Sequence, residues 1–178
     1  MTPHLADTPV LQTERLTLRG PRGSDWEPWA NLATSDRAKF IGGPYTRDMA
    51  MRAWASAIGH WAIRGFGMFT VDLKDGTPIG HVGHWQPESW PEREIGWTIW
   101  SEEHEGRGLA YEAASAVRDH TFDTLGWDTA VSYIDEGNLR SAALAERLGA
   151  WLDADAPRPD KDKPPAMVYR HPKPEALQ

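Results

Sequence analysis

Between Glu94 and Ala110 the sequence changes its hydrophobic period within a few residues, and this limits the folds open to the chain. Glu94-Ile95-Gly96-Trp97-Thr98-Ile99-Trp100 alternates, so Ile95, Trp97 and Ile99 share one face of a strand while Glu94, Gly96, Thr98 and Trp100 share the other. Ser101 to Gly108 reads as a loop. Leu109, Ala113, Ala116, Val117 and His120 then mark the buried stripe of a helix that Gly126 ends. A strand that feeds a glycine-bearing turn and then a helix requires a domain mixing sheet and helix. The first turn of such a helix has unpaired N–H groups and a partial positive charge, which attract phosphate. Gly106 and Gly108 let the main chain curl around an anion, and Arg107 adds a formal charge. The plainer reading is that the two glycines only turn the chain.

The rest of the chain supports a mixed architecture. Residues 1–13 carry Pro3 and Pro9 without periodicity, whereas Arg15-Leu16-Thr17-Leu18-Arg19 alternates as a half-buried strand. A helix is expected over Asp25–Thr34 with Ser24 or Asp25 as N-cap, and another after Thr46, where Ala50, Ala53, Trp54, Ala57, Ile58 and Trp61 recur at helical spacing. Met68–Leu73 and Pro78–Trp85 read as strands joined near Asp75-Gly76, and Thr129–Ile134 as a later strand. A short helix over Leu139–Leu148 follows, with Asn138 as N-cap and Gly149 just past its end. Residues 153–166 hold four Asp and four Pro and read as a long exposed loop, with Ala166–Arg170 as a closing strand. The expected fold is α/β (α+β): one domain with a mixed, mostly antiparallel sheet flanked by helices.

Composition removes several kinds of chemistry. The 178 residues contain no cysteine, which excludes thiol nucleophiles, Cys-ligated zinc, iron–sulfur clusters and disulfides. Asp and Glu total 26 against 19 Lys and Arg, and no basic run is long enough to track a nucleic-acid backbone. No apolar stretch approaches a membrane span, and Met1–Leu11 lacks the pattern of a secretory signal, so a cytoplasmic location is expected. The seven histidines show no metal-ligand spacing, and no metal is expected. His81 and His84 fall on opposite faces of their strand, so at most one faces a cleft. Other motifs fail at specific positions. Tyr111 occupies the third glycine of a dinucleotide fingerprint, Gly108 stands where a zinc protease would need its second histidine, and neither a Gly-Lys-Ser/Thr nor a Gly-x-Ser-x-Gly occurs.

Glu105-Gly106-Arg107-Gly108-Leu109-Ala110 resembles the phosphate-binding motif of the GNAT N-acetyltransferases, usually Gln/Arg-x-x-Gly-x-Gly/Ala. In family order, Gln12–Arg19 is similar to the opening strand, and Gly65-Phe66-Gly67 with Ile79–Gly83 to the central hairpin. Asn138–Ser141 through Leu148-Gly149-Ala150 is similar to the second cofactor-side helix. The likeness is greatest to the Rim-type (RimJ/RimL-like) branch named for ribosomal-protein N-terminal acetylation. It implies a GNAT domain over residues 11–172, a loose lead-in over 1–10 and a tail over 173–178. Two positions depart from the pattern. Glu105 replaces Gln or Arg, and its side chain is expected to point outward; Ala145 stands where many members keep a tyrosine that protonates the departing thiolate.

The resemblance implies transfer of an acetyl group from acetyl-CoA to a primary amine by direct attack in a ternary complex. Gly106, Arg107, Gly108, Leu109 and Ala110 would hold pyrophosphate, exposed main-chain groups of Trp97, Thr98, Ile99 and Trp100 would pair with pantetheine and the thioester oxygen, and Asn138 and Ser141 would contact the cofactor. Glu94 is the candidate base and Ser141 the candidate acid, although each also reads as structural, Glu94 as a strand-end carboxylate facing water and Ser141 as a helix-start serine. Trp85, Trp90, Trp97 and Trp100 gather near the same region, where one or two can wall an acceptor pocket. The implied acceptor is a protein N-terminal α-amine; a small amine such as an antibiotic or polyamine, or a non-catalytic CoA-binding module, remains open. Neither monomer nor homodimer is excluded.

Overall fold

The computed structural model describes residues 5–159 and 166–173. Eight strands form one sheet: β1 (Leu11–Gln12), β2 (Leu16–Arg19), β3 (Met68–Leu73), β4 (Pro78–Trp85), β5 (Glu94–Ile99), β6 (Ala130–Asp135), β7 (Trp151–Leu152) and β8 (Ala166–His171), in the order β1-β2-β3-β4-β5-β6-β8-β7. Every pairing is antiparallel except β5 with β6, which are parallel and in register only at Glu94 and Val131. That single parallel contact is where the sheet opens.

The helices are α1 (Trp26–Ala33), α2 (Arg47–Arg64), α3 (Leu109–Asp119) and α4 (Leu139–Arg147). On one face of the sheet, Trp29 of α1 and Trp54 of α2 pack with Trp100. On the other, Leu109, Ala113, Ala114 and Val117 of α3 cover Leu16, Leu18, Phe69, Val82 and Ile95. Ala142 and Ala145 of α4 pack on Ile134 of β6 and Tyr169 of β8, with Trp97 of β5 against the same cluster. The odd-numbered residues of β5 therefore face α3 and α4, and the even-numbered ones face the α1–α2 side, as the alternation predicts.

Several boundaries follow chemistry that local pattern does not reveal. Asp25, expected to cap α1, makes no such bond. It accepts from the Arg22 N–H at 2.8 Å, from two Arg19 nitrogens at 2.8 and 2.9 Å, and from the Thr70 hydroxyl at 2.9 Å. Arg19 also grips Asp72, at 2.5 and 2.8 Å, so one buried guanidinium ties β2, β3 and the entry to α1 together. Gln12, expected as part of one opening strand, lies in a separate short strand that pairs back on β2. Of the expected Pro/Asp/Lys loop, residues 160–165 lie outside the described residues, as does the expected tail beyond 173.

Candidate active site

The Glu105–Ala110 turn leads directly into α3. Gly106 and Gly108 have φ of +70° and +75°, in the left-handed region that favours glycine. A Cβ on Gly106 would meet nothing within 4 Å, and one on Gly108 only Arg15 Nη2 at 3.6 Å, so the surface of the turn is open. Gly108 is the N-cap residue of α3 and its side has no capping group, which leaves the first-turn amides free to bind an anion. Glu112 lies in that first turn, but its carboxylate is drawn away. It accepts from the Thr13 hydroxyl at 2.6 Å and from the Arg15 N–H and Nε at 2.8 and 2.6 Å. Arg15 also donates to the Arg107 carbonyl at 3.0 Å and supports the turn from behind.

Glu105 does not point outward as the sequence reading expected. Its carboxylate pairs with Arg37, and with Arg140 of α4 at 2.7 Å. Burial opposes its charge, but the two guanidinium groups outweigh burial and hold its carboxyl below the usual range. The negative charge at this departure from the family pattern is thus matched by two arginines. Arg37 continues to the Trp100 carbonyl at 2.6 Å and the Ile99 carbonyl at 3.2 Å, fixing the end of β5 to the turn.

The opening between β5 and β6 begins at Ile95. Val131 N–H donates to the Arg93 carbonyl at 3.0 Å, and the Ser132 hydroxyl then donates to the Ile95 carbonyl at 2.6 Å, where a continuing ladder would use a strand amide. His171 Nε2 meets the same hydroxyl at 2.8 Å. Trp100 N–H donates to the Ile79 carbonyl at 2.8 Å, so even-numbered residues of β5 bond to β4, and odd-numbered ones aim their main-chain groups toward β6. Past Ile95 no β6 strand is in register to receive them. Trp97 offers its N–H and C=O to the gap and Ile99 its N–H. Thr98 and Trp100, expected to contribute as well, spend their main-chain groups on β4, and the Trp100 carbonyl is held by Arg37.

Glu94 stands at the vertex of this gap, on the α1–α2 face. Trp90 Nε1 donates to its Oε2 at 2.8 Å. Burial raises its carboxyl to about 7, against the opposing effects of Trp90 and the Tyr133 main-chain amide. Half-buried Trp85 lies opposite Glu94 in the β4–β5 register, and Trp90 meets Tyr133 edge-on at 6.0 Å. Burial lowers His81 to about 4 and His84 to about 3, so both are neutral and weakly basic at pH 7. His81 packs between Trp29 and Trp100, and His84 bonds Thr121 at 2.7 Å. Of Glu94, His81 and His84, it is Glu94 whose carboxyl lies near the pH at which a base must work.

Ser141 lies on the opposite face. Asn138 Oδ1 accepts from the Ser141 N–H at 3.3 Å, capping α4. Trp97 Nε1 donates to Ser141 Oγ at 3.3 Å, which occupies an oxygen lone pair and leaves the hydroxyl proton to donate elsewhere. Ala145 is fully buried in the α4 cluster and supplies no proton. Base and acid candidates therefore flank β5 from its two faces, with the gap between them.

The positions missed from sequence are Arg15, Arg37, Arg140 and Ser132. Arg15 and Arg140 lie in segments that resemble the family but carried no expected role there, Arg37 and Ser132 lie in none, and each acts on a segment far away in the chain; Arg15 and Arg107 are 92 residues apart. These residues suit a diphosphate-bearing thioester cofactor: an open turn with free amides, and unpaired strand groups one gap away. Among the described residues no group of three His, Asp or Glu could hold a metal, and no described helix is long and apolar enough to cross a membrane.

Residues 15–150 match the family model described as an acetyltransferase (GNAT) domain. An acetyltransferase from Agrobacterium tumefaciens str. C58 is 39% identical, with a TM-score of 0.87 over 97% of this chain and 99% of that one. The fold is shared with RimL, a ribosomal L7/L12 alpha-N-protein acetyltransferase (16% identity, TM-score 0.73, covering 92% and 94% of the two chains). It is also shared with the aminoglycoside acetyltransferase AAC(6')-Ib in complex with coenzyme A (18% identity, TM-score 0.74, covering 91% and 96%). The chain therefore belongs to the GNAT acetyltransferase family and is an acetyl-CoA-dependent N-acetyltransferase.

Proposed function

We propose that the acceptor is a protein or peptide N-terminal α-amine, and the observation that carries this reading is the Glu94 carboxyl poised near 7. An α-ammonium near 7.8 lies about one pH unit above that value, so moving its proton to Glu94 costs roughly 1 kcal/mol. A lysine ε-ammonium near 10.4 lies more than three units above, and the same transfer costs roughly 4–5 kcal/mol. A base of this strength suits the weaker amine. Proteins of this fold include one named for an α-N-protein acceptor and one named for an aminoglycoside, so the fold does not choose between them.

In this reading the amides of Gly106, Arg107, Gly108, Leu109 and Ala110 hold the pyrophosphate, and the main-chain groups of Trp97 with the Ile99 N–H align the pantetheine arm. The Asn138 side chain, whose oxygen caps α4, turns its N–H2 to the cofactor beside Ser141. Acetyl-CoA, when bound, supplies an activated thioester. Glu94 takes the proton of the amine from the α1–α2 face, and Ser141 donates toward the departing sulfur from the α4 face. Placing both partners beside fixed groups supplies much of the rate, as in other bimolecular transfers.

The test is thiol release from acetyl-CoA with a hexapeptide carrying a free N-terminus and no lysine, its N-terminally blocked counterpart carrying one lysine, spermidine, and an aminoglycoside. The free α-amine is expected to lead by at least about tenfold in kcat/KM, within what the difference in proton affinity allows. Preference for the blocked lysine peptide or for either small amine contradicts the proposal.

A further inference from the structure

The indole N–H groups of the chain serve different ends. Trp29 Nε1 donates to the Ala50 carbonyl at 3.2 Å and Trp61 Nε1 to the Met68 carbonyl at 2.9 Å, so each ties a helix to its neighbour and serves the fold. Trp90 Nε1 donates instead to a titratable side chain, Glu94 Oε2, at 2.8 Å. The loop that presents it, residues 86–93, is pinned at both ends. Gln86 N–H donates to His60 Nε2 of α2 at 3.1 Å, and that imidazole stacks on Trp85 with ring centroids 4.2 Å apart. At the other end Glu92 accepts twice from Arg170 of β8, at 2.8 and 3.0 Å, and Arg170 also holds Asp153 at 2.6 Å. Between these anchors Trp90 N–H closes a turn onto the Pro87 carbonyl at 2.9 Å, and the indole meets Tyr133 of β6 edge-on. Pro91 restricts the Trp90 main chain to extended conformations. The loop thus holds one N–H donor rigidly against one carboxylate.

We infer that Trp90 is a positioning residue, whose N–H orients the Glu94 carboxylate and keeps it in the form that accepts a proton from the amine. The inference rests on Glu94 being the base. An indole N–H can only donate, and it bonds a carboxylate more strongly than a neutral carboxyl. With the Tyr133 main-chain amide as a second fixed donor, the plane of the carboxylate is set and lone pairs remain for the incoming proton. Burial pushes the carboxyl up and Trp90 opposes it, so removing the indole would lift Glu94 further above 7 and empty the basic form at neutral pH. The other charged and titratable groups packed about the loop have partners or are neutral. Burial lowers His60, which is neutral at pH 7, and Arg64 pairs with Glu88 at 3.0 Å. Glu92 and Arg170 satisfy each other, and Arg93 lies over the Trp127 ring at 4.7 Å. The Tyr133 hydroxyl, pushed up to about 12, stays protonated.

The test compares wild type with Trp90→Phe, Trp90→Leu, Glu94→Gln and the double variant Trp90→Phe/Glu94→Gln, using the hexapeptide with a free N-terminus between about pH 6 and pH 9. Phenylalanine keeps a ring against Tyr133 and removes the donor, so Trp90→Phe should hold the KM for acetyl-CoA within about twofold. In the ratio of wild-type to variant kcat/KM at each pH, the ionisation of the peptide cancels. A carboxyl raised by about one pH unit makes wild type about tenfold faster near pH 6, and the ratio should close to within about twofold near pH 9. In the Glu94→Gln background Trp90→Phe should cost no more than about twofold, since the group it acts through is gone. Trp90→Leu should repeat the pH-dependent loss even if Trp90→Phe folds poorly. A loss of equal size at every pH, or one as large with Glu94→Gln as without it, would make Trp90 a packing residue and overturn the inference. Both single Trp90 variants within about twofold of wild type near pH 6, with Glu94→Gln inactive, would overturn it and leave the base intact. A Glu94→Gln enzyme with the wild-type pH profile would instead remove the base, and the inference with it.

Discussion

Replacing Glu94 by glutamine should stabilise the folded protein, and by an amount that grows with pH. An unfolded glutamate titrates near 4.5, whereas burial holds the folded Glu94 carboxyl near 7. Below 4.5 both states are protonated and the group contributes its full stability. Between 4.5 and 7 the unfolded chain has lost a proton that the folded chain still keeps, and stability falls progressively. Above 7 the buried carboxylate is charged at a cost of about 3 kcal/mol, the gap from 4.5 to 7 taken at 1.36 kcal/mol per pH unit. That figure is an upper bound, because a half-buried carboxyl keeps some contact with water. Glutamine preserves the shape and still offers an oxygen to Trp90 Nε1, so the substitution removes charge and little else. For a chain of this size each kcal/mol moves the melting temperature by about 2–4 °C. The Glu94→Gln protein, melted beside wild type from pH 4.5 to 8.5 without substrate, should match it at the acid end and exceed it by up to about 10 °C at the alkaline end. Ionisations shared by the two proteins cancel in the difference. A difference that stays flat across this range would mean that water reaches the carboxylate freely, and the reasoning from burial to basicity would be wrong. The same variant should lose activity by about 10²–10⁴-fold at neutral pH, the range for removing a general base.

Gly108→Val forces a β-branched side chain to the left-handed φ of +75° and should raise the KM for acetyl-CoA at least about tenfold, with a smaller change in kcat; steady-state kinetics at saturating peptide measure both. Ser141→Ala leaves the Asn138 cap in place, because that bond comes from the main-chain N–H, and should lower kcat about 10–100-fold while the KM for acetyl-CoA holds. An equal loss in both parameters would return Ser141 to a purely structural part. Arg19→Ala leaves Asp25 and Asp72 buried without their shared partner and should cost about 3–5 kcal/mol in denaturant unfolding. That loss should shrink at acid pH as the carboxyls take up protons.

What the sequence disclosed about the site is what short-range geometry determines. The alternation of β5 separated Glu94 from Trp97 correctly because a strand has a period of two, and Asn138 was legible as a cap because its partner is three residues away. The glycine turn was legible for the same reason. The Glu94 carboxyl near 7 was not, since it arises from burial beside Trp90 and a residue of a strand met much later in the chain. Asp25 misled as a helix cap because Arg19 and Thr70 compete for its oxygens, and a local pattern carries no record of them. Glu105 misled in the same way: Arg37 and Arg140 come from segments before and after it, and folding alone brings the three together. Of the four residues expected to meet pantetheine, three in β5 and Trp100 just past its end, register with β4 leaves Trp97 and Ile99 with main-chain groups facing the gap, and register becomes visible only once both strands are placed.

In the proposed reaction the Gly106–Ala110 amides and the β5–β6 gap act together to aim a thioester toward the amine beside Glu94. A crystal structure with bound coenzyme A tests this most directly. It should show diphosphate oxygens within hydrogen-bonding distance of the amides that open α3, and the pantetheine amide bonded to the Trp97 main chain. A diphosphate held elsewhere, with the turn vacant and Trp97 unengaged, would contradict it.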